Sequence, residues 1–196
     1  GTVLRELGDY RPAEVLFNQA ITLRPNFPEA HNNLGTVLDI TGRLNDAADC
    51  FIKAISLREN YVSPYHNLAI VSEKKKDLEG ALNCYEKVLL LAPATDFVLG
   101  AILHIKMQLG IWDNFSHHVD TLVKGVTLGK NVSSPFPLHS LIDNPEIQKI
   151  SSESYCKTKF SDKHSLPILS QYRGHDKIRI GYFSPDFKNH PVAHLI

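Results

Sequence analysis

A repeat with a period of 34 residues runs through the first half of the chain and constrains the fold more than any other feature. Small and aromatic residues recur in register, at Ala13, Ala47 and Ala81 and at Phe17, Phe51 and Tyr85. A fixed period of this length is typical of a tandem array of similar structural units. Each unit buries its apolar face only against its neighbours, so we expect an extended superhelical scaffold.

The period and the residue types are those of tetratricopeptide repeats, in which each unit is a pair of helices. We assign the array to residues 1–93. Paired helices are predicted at Pro28–Thr41 and Leu44–Leu57 for the second repeat, and at Ser63–Lys75 and Leu78–Leu91 for the third. The first repeat lacks the start of its first helix, so we expect the natural chain to extend upstream of Gly1.

Two asparagines, Asn33 and Asn67, occupy equivalent positions on the first helices of the second and third repeats. First helices line the concave surface of such an array. Each carboxamide offers both a donor and an acceptor, which suits the backbone of an extended peptide of any sequence. The alternative is that both are solvated polar residues on an exposed face.

Beyond the array, we expect residues 94–130 to form a degenerate pair of capping helices. Phe115 and Val119 stand there at the positions where the 34-residue period would place the small and the aromatic residue. We interpret residues 131–176 as a linker that contains one short helix. Within it, Asn131–Pro145 is predicted to be a loop held to a neighbouring surface by Leu138 and Leu141, and Glu146–Phe160 to be the helix. Asp143 or Asn144 would cap that helix, with Pro145 at its first position.

Residues 177–196 predict a strand, a loop and the start of a helix. The strand is short and largely apolar, Ser184-Pro185-Asp186 ends it, and Asn189-His190-Pro191 is typical of a helix start. A βαβ unit needs about thirty residues or more, so we expect the chain to be cut at the start of an α/β domain. His190 would lie at a helix N-terminus beyond the strand, where α/β proteins bind ligands and where the helix dipole favours a neutral imidazole. The alternative is a histidine that merely caps the helix.

The composition excludes several classes of function. Lys plus Arg and Asp plus Glu number 21 each, so no basic excess indicates nucleic-acid binding. The most apolar stretch is too short to span a membrane. The three cysteines, Cys50, Cys84 and Cys156, form no C-x-x-C pair, which fits a reducing cytoplasm.

The run Ile-Arg-Ile-Gly-Tyr-Phe-Ser-Pro-Asp-Phe and the following Asn-His-Pro-Val-Ala-His-Leu resemble the opening of the catalytic region of the O-linked N-acetylglucosamine transferases, glycosyltransferase family 41. The resemblance implies a mainly α chain: a tetratricopeptide solenoid followed by the first βα unit of a truncated Rossmann-like GT-B domain. It implies transfer of N-acetylglucosamine from UDP-N-acetylglucosamine to Ser or Thr hydroxyls, with no metal or other cofactor. His190 falls on the motif histidine proposed as the catalytic base, and Asn33 and Asn67 match a ladder that holds protein substrates.

The nucleotide-binding residues of that family lie downstream, so this chain alone is expected to be inactive. Two alternatives remain open. One is a non-enzymatic repeat scaffold for protein–protein interaction. The other is the related protein O-fucosyltransferase branch, which uses GDP-fucose and tends to have serine after the motif histidine; Pro191 and His194 favour the N-acetylglucosamine branch.

Overall fold

The computed structural model describes residues 1–160, and within them the chain forms helices joined by short turns, with no strand. In chain order the helices are α1 (Thr2–Glu6), α2 (Tyr10–Leu23), α3 (Pro28–Ile40), α4 (Leu44–Leu57), α5 (Val62–Lys74), α6 (Leu78–Leu91), α7 (Val98–Leu109), α8 (Phe115–Thr127), α9 (Pro135–Leu141) and α10 (Pro145–Lys159). The prediction of paired helices is confirmed, with the bounds of α3 to α6 within one residue of those expected from the sequence.

The periodic columns form the core. The aromatic residues Phe17, Phe51 and Tyr85 are buried, and the alanines at Ala13, Ala47 and Ala81 have no exposed surface. A Cβ added at Gly35 would lie 2.7 Å from a ring carbon of Phe51, so the small residue is required for the close approach of α3 to α4. Full burial of each large side chain contributes about 1.5–3 kcal/mol. The residues that recur every 34 positions therefore make the packing contacts that hold neighbouring helices together.

The fourth helix pair departs from the regular repeat. Helix α7 begins only at Val98, because the preceding Phe97 has a φ of 66° and cannot be part of the helix. Helix α8 begins at Phe115 and packs against α7 less closely than α4 packs against α3. A separate core of Leu103, Leu122, Val126 and Leu138 joins α7 and α8 to the segment that follows. The helices after the array thus share one packed unit.

The prediction of a loop over Asn131–Pro145 was wrong in its middle, where α9 forms. Proline is compatible with the first position of a helix, because a backbone N–H at that position would have no partner within the helix. Leu138 on α9 is fully buried, as expected of a residue that holds this segment in place. The predicted cap of α10 is also confirmed: Oδ1 of Asn144 accepts hydrogen bonds from the backbone N–H groups of Glu146 and Ile147, at 3.0 and 3.2 Å.

The strand and helix start predicted over residues 177–196, including His190, lie outside the described residues, as does the remainder of the predicted linker from residue 161.

Candidate functional site: a groove along the first helices

The candidate site is the face formed by the first helices of successive repeats, α1, α3 and α5, which we call the groove. Side chains bridge these helices across it. Nη1 of Arg5 donates to Oδ1 of Asn33 at 3.0 Å, and Nδ2 of Asn67 donates to Oδ1 of Asn32 at 3.0 Å. Further along, Nζ of Lys74 lies 2.5 Å from Oδ1 of Asp39. The bridges fix the spacing between repeats.

The two asparagines predicted to bind peptide lie on the groove but are not joined to each other. Asn33 pairs with Arg5, and Asn67 pairs with the buried Asn32. Asn33 and Asn67 are themselves half-buried. Among residues 1–160, Nδ2 of Asn33 and Oδ1 of Asn67 make no hydrogen bond within the chain, so one donor and one acceptor are available to a ligand. Asn32 was not singled out from the sequence, although it immediately precedes Asn33.

At its C-terminal end the groove deepens into a cavity of about 580 Å³ between α5, α6, α7, α9 and α10. Asn67 lies on its wall beside four aromatic rings, those of His66, Tyr85, Phe97 and Tyr155. We call this cavity the aromatic pocket. The Phe97 and Tyr155 rings pack edge to face with centroids 5.3 Å apart, and the His66 and Tyr85 rings do so at 5.8 Å. Nothing in the sequence predicted the pocket, because its walls combine α5 and α6 of the last repeat with α7, α9 and α10, which follow no common spacing.

Charged groups of both signs face the aromatic pocket. The Tyr85 hydroxyl donates to Oε2 of Glu73 at 2.7 Å, and Asp96 and Lys159 complete the charged part of the wall. Burial, followed by the bond to Glu73, raises the pKa of Tyr85, which keeps the phenol protonated. Burial, followed by the charge of Lys159, lowers the pKa of His66, which favours the neutral imidazole. The pocket therefore combines apolar ring faces with carboxylates and an uncharged histidine.

The structure says nothing about the predicted catalytic residue, His190, since it lies outside the described residues. The three cysteines are free thiols, and burial raises the pKa of Cys50 to about 11. Over residues 1–160, no cluster of three or more His, Cys, Asp or Glu side chains is arranged to hold a metal ion. In the same part of the chain, no helix is both long and apolar enough to cross a bilayer. The cytoplasmic location stays a prediction.

Comparison with known proteins identifies the repeats. A family model described as TPR repeat matches residues 1–38, and one described as Tetratricopeptide repeat matches residues 28–61 and 62–95. A sequence comparison with curated proteins found no match.

Solved structures support the same fold. MamA is similar with a TM-score of 0.58 at 15% identity, over 82% of this chain and 95% of that chain. A second MamA structure, residues 41 to the end from Desulfovibrio magneticus RS-1, gives 0.56 at 20% identity, over 63% and 70%. The first TPR of Spaghetti (RPAP3), bound to the HSP90 peptide SRMEEVD, gives 0.55 at 21% identity, over 56% and 87%. Residues 1–95 of this chain are therefore tetratricopeptide repeats, and the described part of the molecule is a mainly helical solenoid built on them.

Proposed function

We propose that the groove binds an extended segment of a partner protein. The observation that carries this proposal is a pair of polar atoms on the groove, Nδ2 of Asn33 and Oδ1 of Asn67, which have no hydrogen-bond partner among residues 1–160 and whose side chains are held in place by Arg5 and Asn32. A peptide backbone presents alternating donors and acceptors, and such atoms on neighbouring helices complement it without reading side chains. The Spaghetti relative, whose structure contains a bound peptide, supports the same use of the fold.

The double substitution Asn33→Ala plus Asn67→Ala tests the groove. Each residue contributes about 0.5–1.5 kcal/mol through its hydrogen bond to the peptide, so we expect the affinity for an unstructured peptide to fall about fivefold to 150-fold, measured by fluorescence anisotropy. A matched control replaces Asn18 and Asn83, exposed asparagines on the second helices α2 and α6, with alanine. Equal affinity of the double variant and the unaltered chain, at unchanged thermal stability, would exclude these asparagines from binding.

We further propose that the peptide held by the groove is the acceptor of a protein O-GlcNAc transferase. The support is the resemblance of the motif around His190 to that family, together with a repeat array that could present a protein substrate. A Ser or Thr hydroxyl must lose its proton as the bond between sugar and diphosphate breaks, and a neutral His190 would accept that proton or orient the acceptor. Cationic groups or helix N-terminal amides would stabilise the departing UDP.

The proposed activity is tested in the natural protein that contains this chain, supplied with UDP-N-acetylglucosamine and, in a parallel reaction, with GDP-fucose. Transfer of N-acetylglucosamine that His190→Ala reduces by about 100-fold or more would support the proposed base, in line with general-base contributions of that order. Transfer from GDP-fucose alone would favour the fucosyltransferase branch. No transfer from either donor, with peptide binding intact, would identify a non-enzymatic scaffold. The isolated 196-residue chain is expected to be inactive with both donors.

A further inference from the structure

We propose that the aromatic pocket binds a positively charged side chain, Lys or Arg, of the peptide in the groove. Phe97 and Tyr155 would provide the ring faces, and Glu73 and Asp96 the opposite charge. The inference rests on the proposed peptide-binding function, because the guest side chain belongs to the segment that the groove holds. Such a pocket would give the groove a preference for certain peptide side chains, whereas Asn33 and Asn67 would contact only the peptide backbone.

The chain itself already places a cation in this pocket. Nζ of Lys159 lies 5.5 Å from the centroid of the Phe97 ring, within the distance at which an ammonium is attracted to an aromatic face. Lys159 is exposed on the last turn of α10, and within residues 1–160 it forms no salt bridge. A four-carbon stem on an exposed turn moves aside easily. Lys159 thus occupies the position of a guest cation and can be displaced by one.

The charges around the pocket favour a cationic guest. Two carboxylates, Glu73 and Asp96, face one ammonium, Lys159. Glu73 is half-buried and accepts the Tyr85 hydroxyl through Oε2, while in the described part of the chain its Oε1 makes no hydrogen bond. Since partial burial reduces screening by water, this carboxylate would attract a guest ammonium more strongly than a fully exposed one. An acidic guest would be repelled by the same pair.

The geometry also connects the pocket to the peptide backbone. Asn67, whose Oδ1 has no partner in the described part of the chain, lies on the wall of the pocket as well as on the groove. A peptide whose backbone N–H donates to Asn67 would therefore have a neighbouring side chain at the mouth of the pocket. The ring of the preceding residue, His66, adds an apolar edge without a charge that opposes the guest.

The test measures the affinity of the 196-residue chain for N-terminally labelled peptides of sequence Ser-Val-Thr-Ser-X-Ser-Val-Thr-Ser, where X is Lys, Arg, norleucine or Glu. Norleucine reproduces the Lys stem without its charge. We expect the Lys and Arg peptides to bind about fivefold to tenfold tighter than the norleucine peptide, the order expected for a cation on partly desolvated rings, and the Glu peptide to bind most weakly.

Three variants separate the pocket from the groove. Phe97→Leu and Glu73→Gln should remove the preference for Lys while leaving the affinity for norleucine unchanged; glutamine keeps an oxygen that accepts the Tyr85 hydroxyl. Lys159→Gln removes the internal competitor, so it should tighten binding of the Lys peptide about threefold and leave the norleucine peptide unaffected. Lys157→Gln, on the same exposed turn of α10 but not on the pocket wall, is the matched control.

Equal affinity for the Lys and norleucine peptides, or weaker binding of the Lys peptide by Lys159→Gln, would overturn the inference and leave the groove intact. Failure of all four peptides to bind would instead overturn the proposed function of the groove, and the inference with it.

Discussion

Asn131 shows how a single residue outside the repeat can assemble a site. Its backbone carbonyl accepts the N–H of Phe97 at 2.5 Å, and Oδ1 accepts the Ser154 hydroxyl at 2.5 Å. Nδ2 lies within 3.3 Å of Oδ2 of Asp96 and 3.2 Å of Oγ1 of Thr158. Asn131 thus ties the segment before α7 to the end of α10, which brings Phe97 and Tyr155 together. It occurs in an irregular segment, so no periodicity could have identified it.

His66 makes stability depend on pH. The pKa of His66 is lowered in the folded chain, by burial and then by the Lys159 charge, below the ordinary value of 6.5. The unfolded chain therefore binds more protons between the two pKa values, and stability rises with pH across that interval. The contribution of a neutral His66 is fully present above about pH 6.5 and is lost as the pH falls through the folded-state pKa.

We expect His66→Gln to lose less unfolding free energy than the unaltered chain when the pH is lowered from about 7.5 to 5, the range in which histidine titrates. Urea unfolding at a series of pH values measures this difference. The control is His139→Gln, at an exposed position on α9. Parallel pH curves for His66→Gln and the unaltered chain would show that His66 does not titrate differently in the folded state. Glu73, Tyr85 and Lys159 face the same pocket and stay in place in both proteins.

At the scale of elements, the segment after Gly129 joins α8 to α9 and also provides hydrogen-bond acceptors for the start of α7. The backbone carbonyls of Asn131 and Val132 accept the N–H groups of Phe97 and Gly100, which lie at the start of α7 and have no partner within that helix. Ser133 follows, buried against α7. A Cβ on Gly100 would lie 2.0 Å from Oγ and 2.8 Å from Cα of Ser133, so glycine is required for this approach.

Gly100→Ala is therefore expected to destabilise the chain by about 1–3 kcal/mol, the usual cost of forcing atoms into a packed contact, because the backbone at Ser133 has to move. Urea unfolding followed by the fluorescence of Trp112, the single tryptophan, measures the loss. Gly125→Ala is the matched control: it is also in a helix and also faces this segment, but the added Cβ meets the side chain of Val132, 2.9 Å away. Equal losses for the two variants would show that the backbone contact at Ser133 is not the cause.

At the scale of the whole molecule, burial of the repeated columns stabilises the array more than the surface charges do. Ion pairs join neighbouring helices, among them Arg43 with Glu14 and Arg58 with Glu29, at 2.5 and 2.6 Å. Each has at least one substantially exposed partner, and exposed pairs contribute about 0–1 kcal/mol. Fully buried side chains such as Phe51 contribute more each. The ion pairs and hydrogen bonds between α3 and α5 serve mainly to fix the register of the groove.

The repeat array could be predicted almost completely from the sequence. The helices α3 to α6 follow from the 34-residue columns, and the Asn144 cap of α10 follows from local chemistry. The left-handed Phe97 and the helix α9 could not be predicted. Phe97 is held by the backbone carbonyl of Asn131, 34 residues later in the chain. Helix α9 is stabilised by the burial of Leu138 against α7 and α8. Both features therefore depend on contacts that no local sequence pattern encodes.

The repeats, their helix pairs and the placement of Asn33 and Asn67 on the first helices follow from the amino-acid pattern, because each repeat packs only against its neighbours and local periodicity specifies those contacts. Which atoms of these asparagines lack a partner among residues 1–160 depends on long-range contacts, since Arg5 bonds to Oδ1 of Asn33 and Asn32 to Nδ2 of Asn67. The same long-range packing brings α5, α6, α7, α9 and α10 together around the aromatic pocket. Such a pocket depends on how irregular segments close over the end of the array, and that is set by long-range packing rather than by any repeated spacing.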